Sequence, residues 1–254
     1  MEYRIRTDLF RPFAALALAG AVSLVVSVAV AASAYRGRAL DAVREGRTLI
    51  VKGLAVKRVR SDVGTWSVGI RGEAAGLKQA YEMLDGGFQR VRAFLAERGF
   101  PDAEIDVGAI RTDTHYRRDE KGVETCEVAG YSLQRGITVT TGALDRLGAA
   151  AGEVTRFIGE GFLVFSAEPE YHYSGLAGLK VELMGLASRD ARTRADQIVG
   201  NAGGRIGDLV DAQMGVLQIT RPLSTETSSG GIYDTDTIEK DVRAVVTVTF
   251  RVDS

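Results

Sequence analysis

The clearest pattern in the chain is the run DVRAVVTVTFRV at residues 241–252, close to its C-terminal end. Two sets of side chains alternate along this run without a break. The even-numbered set is entirely apolar: Val242, Ala244, Val246, Val248, Phe250 and Val252. The odd-numbered set is mostly polar: Arg243, Val245, Thr247, Thr249 and Arg251. A period of two predicts a β-strand with one buried face, and we expect Val246 and Val248 to lie in the core.

Three segments before this strand have the spacing of amphipathic helices. The apolar residues of the first helix follow one another at intervals of three or four: Leu77, Tyr81, Leu84, Phe88, Val91 and Leu95. This spacing places them in one stripe, and Gly99 and Pro101 then end the helix. Gly86 and Gly87 interrupt its middle, where each glycine costs about 1 kcal/mol relative to alanine. We therefore expect the helix to be bent or loosened there.

The second and third helices are predicted in the same way. The second carries Leu144, Leu147, Ala151, Val154 and Ile158. The third is expected to begin after Ser174, whose hydroxyl is suited to cap it, and to end near Gly203 and Gly204. Its expected buried residues are Leu179, Leu183, Leu186 and Ile198.

Alternating runs and runs rich in β-branched residues predict the remaining strands. They lie at residues 49–59, 63–71, 104–112, 131–140, 161–166 and 206–213. The strands at 104–112 and 131–140 are expected to pair across a polar loop. With the helices, the order of elements is ββαββαβαββ. This order predicts an α+β fold, in which a mostly antiparallel mixed sheet packs with about three helices on one side, preceded by one N-terminal hydrophobic helix.

The N-terminal part of the chain differs from the rest in charge and hydropathy. Residues 1–12 form a basic segment, residues 13–34 contain no ionisable side chain, and residues 35–47 form an arginine-rich linker. The body follows at residues 48–254. Residues 1–47 hold seven Lys and Arg against four Asp and Glu, whereas the remainder holds 25 against 29. As a helix, the 22 residues at 13–34 would span about 33 Å, the thickness of a bilayer core.

Two interpretations of residues 13–34 remain open. A retained anchor would cross a membrane once, in contact with the lipid bilayer, and hold the body on the far side. A signal peptide would be cleaved after Ala32-Ser33-Ala34 and leave a soluble exported protein. Against cleavage, the apolar run is longer than the roughly 7–15 residues that are usual in a signal peptide. A buried helix of a soluble core is the least favoured interpretation.

The composition limits the chemistry that we expect of the body. A net charge of −1 argues against nucleic acid as a partner, because phosphate binding needs a strongly basic face. The single cysteine, Cys126, excludes an intramolecular disulfide and a metal site with several thiolates. Its acidic neighbours Glu124 and Glu127 favour an inert thiol, and a disulfide between subunits is the main alternative. His115 and His172 each lack a second ligand at zinc spacing.

No set of residues in the sequence matches a catalytic, cofactor-binding or metal-binding motif. The glycines at residues 200–207 follow a helix and do not lead into one, which favours a helix end over a phosphate loop. Four carboxylates near the C-terminal end offer a weak calcium site, although a solvated loop is the favoured interpretation: Asp234, Asp236, Glu239 and Asp241. We therefore expect a non-catalytic protein without a cofactor.

Two further features have both a structural and a functional interpretation. Tyr171, His172 and Tyr173 form either an exposed contact for a ligand or partner, or a strand end that covers the core. Residues 221–239 show no periodicity, and their Pro, Ser and Gly residues make them flexible. We expect this long loop to become ordered on assembly or to contact a partner.

Four local patterns in the body recur in a known family. They are Ile50-Val51-Lys52-Gly53 with Ser61-Asp62; residues 94–100 with Glu104-Ile105; Ala187, Ala191 and Ala195 with residues 202–207; and Ile238-Glu239-Lys240 before the valine-rich strand. On these residues the chain resembles, from about residue 48 to 254, the SIMPL family of exported bacterial proteins. Ser61 stands where that family usually has proline.

The resemblance implies an α+β fold, homo-oligomerisation, and export to the periplasm or membrane. With it, an anchored chain would cross the inner membrane once with its body in the periplasm, and a cleaved chain would be soluble in the periplasm. It also implies a link to envelope or oxidative stress and no established enzymatic activity. Alanines at every fourth position form a flat stripe that permits close packing of a helix. The row Ala187, Ala191 and Ala195 is therefore expected either to pack on the chain's own sheet or to contact a second subunit.

Two classes of function follow from the sequence. The leading prediction is a non-catalytic, exported and membrane-anchored envelope protein that homo-oligomerises as a scaffold. The alternative is an exported binding module for a small molecule or envelope polymer, which would use Tyr171, His172, Tyr173 and the loop at 221–239. An enzyme ranks third, because no acid–base or nucleophile set stands out.

Overall fold

The computed structural model describes residues 47–253, together with four isolated positions before them, residues 27, 30, 32 and 33. The expected basic segment, all but these four positions of the hydrophobic segment at 13–34, and most of the linker therefore lie outside the described residues. Among the residues that are described, no helix combines the length and the hydropathy needed to cross a membrane.

The described residues form three α-helices and eleven strands. The helices are α1 (Leu77–Glu97), α2 (Leu144–Glu153) and α3 (Leu176–Asn201). The strands are β1 (Thr48–Arg60), β2 (Val63–Ala74), β3 (Ile105–Val107), β4 (Arg111–Arg118), β5 (Glu124–Thr141), β6 (Leu163–Ser166), β7 (Glu170–His172), β8 (Arg205–Met214), β9 (Gln218–Thr220), β10 (Ile232–Tyr233) and β11 (Glu239–Asp253). Short 3-10 helices occupy Asp102–Glu104 and Val154–Ile158. The predicted α+β class with three helices is confirmed.

The strands form two sheets, not the single sheet that we predicted. The first sheet has the order β1-β11-β9-β10, and β8 also pairs with β11. The second has the order β3-β5-β2-β6, with β4 beside β5 and β7 beside β2. Pairing is antiparallel throughout the second sheet and between β11 and β9, whereas β10 and β9 run parallel. Periodicity defines the faces of a strand but not its neighbours, so the division into two sheets was missed.

Contacts between residues divide the chain into two compact units. Among the described residues, one unit comprises residues 47–53, 189–213 and 247–253, and the other comprises residues 54–188 and 214–246. The strands β1 and β11 and the helix α3 contribute residues to both. The main hydrophobic core belongs to the second unit.

In the second unit, α1 packs on the second sheet through the apolar stripe that its spacing predicts. Leu84, Phe88, Val91 and Leu95 are buried, together with the alternating β2 residues Trp66, Val68 and Ile70. The indole nitrogen of Trp66 donates a hydrogen bond of 3.0 Å to the Ser166 hydroxyl. The first two members of the stripe, Leu77 and Tyr81, are exposed.

The backbone of α1 lies directly on β2 because two glycines remove side chains from the contact. A Cβ atom at Gly72 would lie 2.1 Å from the Ala80 carbonyl oxygen and 2.5 Å from the Leu84 nitrogen. A Cβ atom at Gly87 would lie 2.8 Å from Cγ2 of Ile70. The helix is continuous for 21 residues through this position. Gly87 therefore serves close packing, and the loosening that we expected in α1 is not observed.

The buried line of α3 differs from our prediction. Leu179 and Leu183 are buried as expected, but Leu186 is exposed and Ile198 is 52% exposed. The buried residues recur at every fourth position: Leu179, Leu183, Ala187, Ala191, Ala195 and Val199. This is a single i, i+4 ridge of the kind that packs into a groove. Similarly, Ile158 after α2 is exposed, although Leu144, Leu147, Ala151 and Val154 are buried.

The polar loop that we expected between residues 112 and 131 is a β ribbon. The predicted strand at 104–112 is divided into β3 and β4, and β5 extends for 18 residues from Glu124 to Thr141. The strand β2 pairs with β5 only as far as Tyr131, opposite Ala74. Beyond that point β4 and β5 continue as two strands alone. Polar strands with neither face buried carry no alternating pattern, which is why the ribbon was predicted as a loop.

The C-terminal strand β11 agrees with its prediction. The even-numbered face is buried from Val242 to Phe250, with Val248 only 3% exposed, and the odd-numbered face is half-buried from Arg243 to Arg251.

Candidate interaction surfaces

Tyr171, the first of the three aromatic residues singled out in the sequence, belongs to the core. It lies on β7, which pairs with the start of β2, and it is 8% exposed. Its backbone N–H donates a hydrogen bond of 2.7 Å to the Thr235 carbonyl. Burial, with a smaller contribution from the Asp145 carboxylate, raises the pKa of the Tyr171 phenol. This residue takes the role of a strand end that covers the core.

The next two aromatic residues, His172 and Tyr173, contact different neighbours. His172 is half-buried and stacks on Tyr233, with ring centroids 6.2 Å apart and planes inclined by 27°. The ring of Tyr173 packs against Gly175, where a Cβ atom would lie 2.8 Å from the Tyr173 hydroxyl. The three side chains therefore do not form one exposed aromatic patch. Their role as a contact for a partner stays a prediction.

The Ser61-Asp62 turn is tied to the start of α3. The Asp62 carboxylate accepts hydrogen bonds from the Ser174 backbone N–H at 2.8 Å and from the Ser174 hydroxyl at 2.5 Å. These bonds, the hydroxyl first, lower the pKa of Asp62. The Ser174 hydroxyl, which we expected to cap α3, thus donates its hydrogen bond to Asp62.

The alanine row of α3 is covered within the single chain. Ala187, Ala191 and Ala195 each have no exposed surface. The guanidinium of Arg192, which follows Ala191 in the chain, lies 5.9 Å above the Phe250 ring of β11. This is the burial that packing on the chain's own sheet requires. A subunit contact at the row stays a prediction, which a substitution can test.

We expect Ala191→Arg to lower the free energy of unfolding by about 1–3 kcal/mol, because a long charged side chain overpacks a fully buried position. Thermal melting and light scattering of the same variant measure stability and mass together. Gln197→Arg, on the exposed side of α3, is the matched control and should change neither. An unchanged melting temperature with a smaller mass would identify the row as a subunit contact.

The four carboxylates considered as a calcium site are each held by groups of the chain. Asp241 binds both the Nε and the NH2 group of Arg58, at 2.8 and 3.0 Å, and accepts the Leu223 N–H at 3.0 Å. The hydrogen bond from Arg58 lowers the pKa of Asp241. Glu239 pairs with Arg60 at 3.3 Å. In the described part of the chain, no group of three or more potential metal ligands comes together.

A buried ion pair that the sequence did not indicate organises residues 234–237. The ammonium of Lys240 is 2% exposed and donates to the carbonyls of Asp234 and Thr237, each at 2.6 Å, and to the Asp234 carboxylate at 3.3 Å. The same carboxylate accepts the backbone N–H groups of Asp236 and Thr237 at 3.0 Å. Burial alone would raise the pKa of Asp234, but the bonds from Thr237 and Lys240 lower it. Lysine is rarely buried without such partners.

The long loop at 221–239 makes hydrogen bonds within its own chain, and its ordering on assembly or contact with a partner stays a prediction. The Gln218 amide donates to the Ser228 carbonyl at 2.8 Å, and the Leu223 N–H donates to Asp241. Part of the loop forms β10. Each of three clefts, of about 350, 490 and 600 Å³, is lined in part by residues from 230–237. The largest is mostly apolar and lies between Tyr233 and the first turns of α3.

The ribbon formed by residues 111–130 is the least covered part of the second unit. Seven of the eight residues of β4 are exposed, and Asp113 is half-buried. Apolar side chains are exposed along it as well: Tyr116, Val123 and Val128. A turn closes the ribbon, where the Asp119 carboxylate accepts the N–H groups of Lys121 and Val123 at 2.9 Å. The ribbon therefore presents two uncovered faces.

The charged residues of the ribbon pair only at its surface. Arg111 lies 3.3 Å from Asp113, Arg118 lies 3.3 Å from Glu124, and Arg117 lies 3.7 Å from Glu127. The last distance is long, and exposed pairs of this kind contribute about 0–1 kcal/mol. Such pairs add little to the stability of the ribbon. Cys126, on β5, is exposed and not in a disulfide.

The architecture is that of an α+β protein with two mostly antiparallel sheets. The model of the SIMPL family, described as a protein of unknown function (DUF541), matches residues 49–250. The chain belongs to this family, as its local patterns suggested. Comparison with the curated proteins gives no match.

Proposed function

We propose that this chain is a non-catalytic, exported and membrane-anchored protein of the cell envelope, possessing no cofactor, that assembles with further copies of itself as a scaffold. A link to envelope or oxidative stress belongs to the same proposal. The observation that carries it is the ribbon at residues 111–130, which is exposed on both faces.

An exposed ribbon is costly unless something covers it. A two-stranded hairpin is at best marginally stable in water, and an unpaired strand edge presents rows of free N–H and C=O groups. The exposed Tyr116, Val123 and Val128 add apolar surface that water does not favour. Contact with a second copy would bury this surface and pair the edge. The membrane anchor is supported by the hydropathy of residues 13–34.

The proposal is tested on the full chain with a shortened ribbon. In the register of the sheet, Thr114 lies opposite Tyr131, so Asn-Gly in place of residues 115–130 would join them with a two-residue turn. We expect the natural chain to stay with carbonate-washed membranes and to show a mass of several copies in detergent by light scattering. The shortened chain should stay in the membrane, melt at a similar temperature and show a smaller mass.

A variant of the ribbon turn provides the control. Lys121→Ser changes an exposed side chain without shortening either strand and should leave the mass unchanged. A natural chain with the mass of a single copy would exclude the scaffold. If the carbonate wash released the body, residues 13–34 would be interpreted as a cleaved signal peptide and not as an anchor.

A binding module remains the second candidate function, and the apolar cleft of about 600 Å³ beside Tyr233 favours it. Its volume is in the range of small-molecule sites, roughly 300–1,000 Å³. Mass tests the first candidate against the second, because a scaffold requires several copies whereas a binding module does not.

A further inference from the structure

We infer that β4 pairs edge to edge with β4 of a second copy, antiparallel, about a two-fold axis that passes at His115. This inference rests on the proposed self-assembly and names the surface and the register through which two copies meet. This pairing would join the second sheet of one copy to the second sheet of the other and form one continuous sheet across the axis.

The outer edge of β4 is available for such pairing. Among the described residues, β4 pairs only with β5, and no helix covers it, since its side chains are exposed. Two irregularities interrupt the register between β4 and β5. Between His115 and Tyr116 the partner advances from Gly130 to Val128, so the additional residue lies on β5. The strand that would meet a second copy is thus continuous.

Symmetry restricts the registers that two identical antiparallel strands can adopt. Side chains that lie opposite each other point to the same face of a sheet, and a two-fold axis exchanges the two copies. Residue i therefore lies opposite a residue of the same face, and the axis passes at one residue of the strand. Near the middle of β4, the possible centres are Thr114, His115 and Tyr116.

Charge selects among these three registers. A centre at Thr114 places Arg111 opposite Arg117 twice, whereas a centre at Tyr116 leaves Asp113 beyond the paired residues of β4 and brings no opposite charges together. Like charges directly opposite each other destabilise a strand pair. A centre at His115 instead places Asp113 opposite Arg117 twice. Every charged pair on this face is then of opposite sign.

The other face of β4 is compatible with the same register. Thr114 lies opposite Tyr116, which is a favourable pair of a β-branched and an aromatic residue, and Thr112 lies opposite Arg118. Charged residues usually protect an edge strand from pairing with other chains. Here they repel in the register centred at Thr114 and attract only in the register centred at His115, so that the edge accepts a copy of itself in that register.

Disulfide trapping in the full chain tests the register. In a Cys126→Ala background, His115→Cys places two cysteines opposite each other, with Cα atoms about 4.5–5.5 Å apart, within the range of a disulfide. We expect most of the oxidised protein to run as a covalent dimer on a non-reducing gel. Thr114→Cys in the same background should stay monomeric, because the two cysteines would be about 8 Å apart.

The outcomes separate this inference from the proposed function. A dimer with Thr114→Cys and none with His115→Cys would overturn the register at His115. A large mass in light scattering with no dimer from either variant would overturn the pairing of β4 and leave the scaffold intact. A natural chain with the mass of a single copy would overturn both.

An exchange of charges gives a second test that needs no new cysteine. Asp113→Arg places like charges opposite each other at two points and should raise the dissociation constant of the assembly about tenfold or more. Arg117→Asp should act in the same direction. Their combination restores opposite signs and should recover the natural dissociation constant. Failure of the double variant to recover assembly, with its melting temperature unchanged, would contradict the inference.

Discussion

Alanine in place of Gly72 is expected to lower the free energy of unfolding by about 3 kcal/mol or more, at or above the upper end of the usual cost of overpacking. The added methyl group would lie 2.1 Å from the Ala80 carbonyl oxygen and 2.5 Å from the Leu84 nitrogen. Both atoms belong to the α1 backbone, which cannot turn aside as a flexible side chain can. The helix must therefore move off β2 and expose the core around Ile70. Urea or thermal unfolding measures the loss.

Gly136→Ala is the matched control for this prediction. Gly136 lies on β5 in the same sheet, and a Cβ atom there would meet nothing within 4 Å. The added methyl group should leave stability unchanged or slightly raised, because alanine has less freedom to lose on folding. Equal stability of the two variants would show that α1 does not rest on β2 at Gly72.

Val248→Asp is expected to lower the free energy of unfolding by several kcal/mol, which is a large part of the roughly 5–15 kcal/mol that stabilises an ordinary domain. Val248 lies in the middle of the buried face of β11 and is 3% exposed. The substitution removes apolar burial and places an unpaired carboxylate where water does not reach it. We expect the variant to be insoluble or to melt far below the natural chain.

Thr249→Asp serves as its control, because the adjacent side chain points to the half-buried face of the same strand. It introduces the same charge at nearly the same place in the chain and should cost much less. If Val248→Asp were expressed in soluble form with an unchanged melting temperature, the even-numbered face of β11 would not be core.

These two positions show how differently the sequence informs the fold. Val248 could be placed in the core from the sequence alone, because six alternating apolar residues leave one choice of buried face. Gly72 could not be recognised, because a glycine in an alternating strand carries no sign of what approaches it. Only the packing of α1 on β2 gives that glycine its role.

The candidate surfaces divide in the same way. Lys240 was part of a family pattern, but its burial with Asp234 depends on a turn that brings residues six positions apart into contact. The ribbon at residues 111–130 was predicted as a loop, since neither of its faces is buried and its side chains therefore do not alternate. Once β4 is placed at an edge, its charges can be compared with those of β4 in a second copy. They then favour the register that we infer at His115.

The sequence by itself determined the α+β class, the three helices, the buried faces of β2 and β11 and the family, because periodicity and local motifs are properties of neighbours along the chain. Only the tertiary structure decided the division into two sheets, the single i, i+4 ridge of α3 and the free edge of β4. These depend on which strands meet and how closely backbones approach. Hydrogen bonds between strands have nearly the same geometry whichever strands they join, so pairing is settled by the packing of the whole chain.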